Sequence, residues 1–111
     1  MSGRRPATWK QAEREVARRL GGQRVPVTGR GRGDAPDIEH ARLSPEVKHR
    51  ATLPGWLLDA MAQATAAAAD GRVPVAVLHP AGGRYDDCLC VLRLAHLVAL
   101  LAGDAGERGA G

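Results

Sequence analysis

The chain has 111 residues, with 16 Lys or Arg against 12 Asp or Glu and a formal net charge of +4. That length is one domain's worth and can bury a core without disulfide or metal staples. No run of about 18 apolar residues could span a bilayer, and residues 1–15 lack the apolar stretch of a secretory signal, so a cytoplasmic protein that does not enter the membrane is expected. The excess of Arg points to an anionic partner, nucleic acid being the commonest, although a GC-rich genome enriches Arg, Ala and Gly by itself. Phe is absent and aromatic residues are scarce, so Leu, Val and Ala must build the core.

Residues 1–7 read as a flexible basic arm. Thr8 is placed to cap a helix from Trp9 to Leu20, which Gly21-Gly22 stops. RVPVT at 24–28 predicts a short strand, kept to an edge by Pro26. GRGRGDAP at 29–36 is a Gly- and Arg-rich loop; it is no G-x-G-x-x-G fingerprint and opens no helix, so no nucleotide cofactor is expected. Asp37-Ile38-Glu39 starts a second extended segment, and EVKHR at 46–50 predicts a third strand. A helix follows from Trp56 to Ala69, ended by Asp70-Gly71. VPVAVLH at 73–79 predicts a buried strand, CLCVLR at 88–93 a last strand, and Leu94 to Ala102 a last helix. The expected order is α-β-β-β-α-β-β-α: an α/β domain over 8–102 with a central mixed sheet flanked by helices, then a disordered tail over 103–111. Cys88 and Cys90 would share a strand face and so are poorly placed to bond each other. With His79 or His96 they offer a zinc-binding alternative.

The chemistry concentrates between residues 36 and 50. Glu46 and Lys48, two apart on a strand, project from one face about 7 Å apart, while Val47 points to the core. If 37–39 pairs with 46–48, Asp37 lies beside Glu46. Two hard carboxylates and an ammonium then share a patch that suits Mg²⁺-dependent phosphodiester hydrolysis, with Lys48 orienting the attacking water or stabilising transition-state charge. The plain alternative is a surface Glu-Lys pair.

On a helical wheel with Trp9 at zero, Glu13 falls near about 40°, in the middle of an apolar face also holding Val16, Ala17 and Leu20. A carboxylate turned toward a core needs a metal or an ionic partner, so Glu13 is either part of the site or bridged to an Arg. In the second helix Gln63 shares the face of Trp56, Ala60 and Ala67, where it could hold a catalytic water or satisfy a loop carbonyl. Arg4, Arg5, Lys10 and Arg14, with Arg30, Arg32, His49 and Arg50, surround these residues and could contact phosphates, or could simply be a solvated surface.

ER at 13–14, RVPVTG at 24–29, PDI at 36–38, EVK at 46–48 and QA at 63–64 stand in an order that resembles the PD-(D/E)XK nuclease superfamily, and within it the small Holliday junction resolvases of archaea and phages. The resemblance covers roughly residues 8–79. It implies a restriction-endonuclease-like core, Mg²⁺ or Mn²⁺, and a homodimer that cuts four-way DNA junctions. By the same resemblance Asp37, Glu46, Glu13 and the backbone carbonyl of Val47 would bind metal, Lys48 would assist the water, and Thr28 would stand near the scissile phosphate. The apolar stretch from Cys88 to Leu101 is the expected dimer interface. Two alternatives remain open: the same site acting on flap, nicked or duplex DNA, and a non-catalytic nucleic-acid-binding module.

Overall fold

The computed structural model describes residues 8–25 and 37–110, with side chains through Gly103. The expectations for Arg4, Arg5, Thr28, Arg30 and Arg32, for the basic arm and for the loop at 29–36 fall outside those residues. The chain divides into two compact units, Met1–Ala51 and Thr52–Gly111. Among the described residues the fold is mixed α/β, with three helices and two small antiparallel sheets.

The N-terminal unit opens with helix α1, Thr8–Leu20. Its buried positions are Glu13 and Ala17, one turn apart on the face the wheel singles out. The Gly pair ends it as expected, and each glycine has its own reason. Gly21 is left-handed, with φ of +79°. The Gly21 N–H then reaches the Arg18 carbonyl at 3.3 Å and the Gly22 N–H the Ala17 carbonyl at 2.9 Å, the two-bond closure that satisfies the last carbonyls of a helix. Gly22 needs to lack a side chain: a Cβ there would run into the Glu39 carbonyl oxygen and lie 2.9 Å from Cγ2 of Ile38. This close approach brings the chain from α1 directly against β2.

Strand β1, Gln23–Arg24, pairs antiparallel with β2, Ile38–Glu39, in the register Gln23↔Glu39 and Arg24↔Ile38. The Val25 N–H extends the ladder to the Asp37 carbonyl at 2.9 Å. Ile38 is completely buried and, with Ala17, forms the apolar part of this core. The third strand expected at 46–50 does not form. The ladder of β2 goes to β1, Pro45 has no N–H to donate, and residues 46–50 belong to no strand or helix.

The C-terminal unit opens with α2, Gly55–Ala67, whose one buried residue is Met61. It stops before the expected end at Ala69. The Thr65 hydroxyl donates to the Met61 carbonyl at 2.8 Å, an interaction that weakens a helix locally, and Ala68 is already extended. Gly71, with φ of +80°, makes the following turn rather than the helix cap. Strand β3, Ala76–Leu78, pairs antiparallel with β4, Leu89–Val91, as Ala76↔Val91, Val77↔Cys90 and Leu78↔Leu89. A short turn and a single 3₁₀ turn, Tyr85–Asp87, join them, and so short a connection permits only antiparallel pairing. One mixed sheet is therefore replaced, among the described residues, by two antiparallel pairs. Helix α3 runs Leu94–Ala110, past the end expected at Ala102. Residues 103–110, expected as part of a disordered tail, continue the helix; they contain no Pro to stop it, although three of the eight are Gly and propensity alone does not explain the extension. No helix among the described residues is long and apolar enough to cross a membrane.

Candidate active site

The N-terminal unit buries two carboxylates, Glu13 at 5% exposure and Asp37 at 2%. Removing such groups from water is costly unless each gains strong partners. Asp37 stands immediately before β2. Its Oδ2 accepts the Val47 N–H at 2.7 Å, so the aspartate of PDI is tied to the middle residue of EVK. The expected juxtaposition of the two motifs is made through a side chain and a backbone amide instead of a strand ladder. Glu13 faces the sheet from α1, and its Oε1 accepts Nε of Arg24 on β1 at 2.7 Å. Both side chains of that pair are largely buried. The arginine bridge, one of the two readings open for Glu13, is thus present.

The side chains of Glu46 and Lys48 meet even though the segment that bears them is not a strand. Their charges pair at 3.3 Å and both are exposed. A solvated pair of this kind contributes little to stability, so both groups can be recruited by a ligand at small cost. Each of the three acidic residues expected at the site therefore has a partner: a guanidinium, a backbone N–H and an ammonium. Among the described residues no group of three or more His, Cys, Asp or Glu lies close enough to hold a metal ion.

The basic residues expected to surround the site are exposed where they are described. Lys10 lies over the ring of Trp9, 5.3 Å from its centroid, and Arg14 projects from the same helix. His49 and Arg50 follow Lys48, and an Arg50 guanidinium nitrogen donates to the His49 carbonyl at 3.3 Å. Gln63 lies in the C-terminal unit and is exposed on α2; the apolar face assigned to it is not formed, since Trp56 and Ala67 on that face are exposed too. The zinc alternative does not assemble. Cys88 and Cys90 are free thiols, and Nε2 of His79 is engaged by the Gly83 carbonyl at 2.8 Å while its ring stacks on Tyr85.

Two contributors were missed by sequence reasoning. Arg24 was read only as the start of a strand, although a buried Glu13 demanded a cation from somewhere. His40, just after β2, fixes the backbone around the site. Its Nδ1 accepts the N–H groups of Arg42 at 3.0 Å and Leu43 at 3.2 Å, which puts the ring proton on Nε2, 2.9 Å from the Leu20 carbonyl. A lone histidine in a polar segment carries no signal for such a role. No family model matches the chain, and no curated protein or solved structure does so either.

Proposed function

We propose that the protein is a metal-dependent DNA endonuclease with a restriction-endonuclease-like core, acting on branched DNA and best suited to four-way junctions. The observation that carries this reading is the buried Asp37 carboxylate bonded to the Val47 amide. A chain that only needed a core would place an apolar side chain there. Keeping a carboxylate in the interior, locked to the segment that bears Glu46 and Lys48, is the expected cost of a working site.

The donor types, carboxylate and carbonyl oxygens, are those a hard divalent cation takes, but among the described residues they are not gathered into one cluster, so binding requires them to rearrange. Asp37 and Glu13 offer carboxylate oxygens, Val47 a carbonyl, and Glu46 an accessible carboxylate whose present partner is weakly held. A bound Mg²⁺ or Mn²⁺ would supply charge neutralisation at a phosphate and a water of lowered pKa. Lys48, released from Glu46, holds the attacking water or stabilises the charge that develops on the phosphate oxygens. Lys10, Arg14, His49 and Arg50 contact the sugar-phosphate backbone, joined by Arg4, Arg5, Thr28, Arg30 and Arg32; such contacts give affinity without sequence preference. A homodimer belongs to the proposal, because two sites related by a two-fold axis match the symmetry of a four-way junction. Within the apolar stretch 88–101, Leu89 and Leu100 are exposed, which supports self-association.

A second reading has its own observation. All three carboxylates are already partnered, as they would be in a nucleic-acid-binding module whose acidic residues only hold its shape. One experiment separates the two: incubation of a labelled four-way junction with Mg²⁺, beside linear duplex and flap DNA, using wild type and Asp37→Asn. Paired symmetric cuts confined to the junction and lost in the variant are the expected result. Equal cutting of every substrate would keep the site and remove the junction preference. Binding without cleavage under Mg²⁺ or Mn²⁺ would leave the binding module.

A further inference from the structure

We propose that Trp9 is a stacking platform for an unpaired DNA base, with Lys10 as the cation that takes the phosphate of the same nucleotide. The proposal rests on the reading that the chain contacts branched DNA, whose branch points are where bases lose their stacking partners, and it adds the side chain that receives one. The chain has three aromatic residues, Trp9, Trp56 and Tyr85, and all three are exposed. Their surroundings differ. Trp56 lines an apolar cavity with Val77 and Leu89, and the Tyr85 ring is stacked on His79 with centroids 4.3 Å apart. Both belong to residues 52–111, which hold 4 of the 16 Lys and Arg. Trp9 belongs with the other 12 and is 45% exposed. It lies one turn before the buried Glu13 on the same side of α1, so the helix fixes the root of the side chain while much of the indole stays in water. What lies over the ring is an ammonium, Nζ of Lys10, 5.3 Å from the centroid. An exposed lysine on a flexible stem yields that face readily, as a packed apolar side chain would not. Every nucleobase has a π-face and stacks on an aromatic ring without regard to sequence. When a base takes the indole, the ammonium moves to the phosphate of that nucleotide, its opposite charge. Arg14, one turn beyond Lys10 and also exposed, continues the row of cations toward the next phosphate. Bases inside a duplex are already stacked on one another, so the platform selects unpaired nucleotides where phosphate contacts alone do not discriminate.

The test uses the full chain with Trp56→Phe, so that Trp9 is its one indole. Titration with an oligothymidylate of about 8 nucleotides should quench its fluorescence saturably, and a blunt duplex of equal length should quench it far less. The complementary variant Trp9→Phe, which leaves Trp56 as the reporter, should show no quenching. In binding assays with the labelled oligothymidylate, Trp9→Leu should weaken affinity by roughly 5–150-fold, the effect of one stacked base, while Trp9→Phe keeps most of it. Duplex binding by Trp9→Leu should change by less than about twofold. Lys10→Gln should reduce the slope of log affinity against log salt by about 0.7 on the single strand. Equal losses on single strand and duplex for Trp9→Leu, or binding of the single strand without quenching of Trp9, would overturn the platform and leave the nuclease reading intact. Should Trp9→Leu fail to fold, the quenching titration of Trp56→Phe decides by itself. If wild type binds neither the single strand nor a four-way junction, the platform and the DNA reading fall together.

Discussion

The two compact units handle charge and apolar surface in opposite ways. Residues 1–51 carry 12 Lys or Arg and 6 Asp or Glu, a net +6, whereas residues 52–111 carry 4 and 6, a net −2. The N-terminal unit buries two carboxylates beside Ala17 and Ile38; the C-terminal unit buries Met61 and Ala76 and no charged side chain. Among the described residues, eight of the nine large hydrophobic side chains left exposed belong to the C-terminal unit, from Leu53 and Trp56 to Leu100. Of these, Trp56, Val77 and Leu89 line one open cavity of the C-terminal unit. The difference teaches that the basic charge of the whole chain is not a general property of it. It is confined to the unit that also has the buried acids, so attraction for a polyanion and the candidate chemistry fall together.

The largest test of this contrast is Glu13→Ala. It strands the Arg24 guanidinium in the interior, and loss of one partner of a buried pair costs about 3–5 kcal/mol, read as a fall in the urea midpoint at unchanged slope. A loss under about 1 kcal/mol would mean that the pair behaves as a solvated one, and the distinction between the units would weaken. Next in size is Gly22→Ala. Its methyl group meets the Glu39 carbonyl and the Ile38 side chain, so a cost of about 1–3 kcal/mol is expected from overpacking, with a weakened contact between α1 and β2.

Substitutions on the C-terminal unit should behave differently. Trp56→Ser and Leu58→Gln remove exposed apolar area and should change stability by no more than about 0.5 kcal/mol, while sedimentation should show less self-association. A large loss of stability would show that this surface is covered within the folded chain. The smallest effect concerns Glu15 on the solvent face of α1. Hydrogen bonds from Arg18 and then Arg19 hold its carboxyl below the usual glutamate range. A carboxyl depressed on folding adds stability at pH values above the ordinary glutamate pKa, and the gain is lost as the pH falls through the lowered value. Glu15→Gln should therefore narrow its gap to wild type in thermal melts as the solution is acidified through that range, and the gap should shrink with salt at neutral pH.

Much of the N-terminal unit could be read from the sequence because its signals are local. The spacing of Val16, Ala17 and Leu20 around Glu13, and the glycine pair after it, depend only on helix geometry and on which residue tolerates a left-handed or crowded backbone. The position of Asp37 at the start of an extended segment was equally local. EVKHR was misjudged because alternation is a property of the segment and a strand is a property of its neighbour, and β2 had already found β1. The same holds for Glu13. Its burial announced the need for a cation, but nothing along the chain distinguished Arg24 from the other arginines of this unit. In the C-terminal unit the apolar runs were longer than the strands they produced, because two strands of three residues with open faces bury less than the runs suggested.

His40 has a consequence for hydrogen exchange. The amides of Arg42 and Leu43 lie outside every helix and strand, where exchange with solvent deuterium is ordinarily fast. With the imidazole accepting both, their protection should follow the opening of the N-terminal core instead of the opening of a turn. The same ring donates to the Leu20 carbonyl. One side chain thus links the last turn of α1 and two loop amides into a single opening event, and a deuterium footprint would show these separated segments gaining label together.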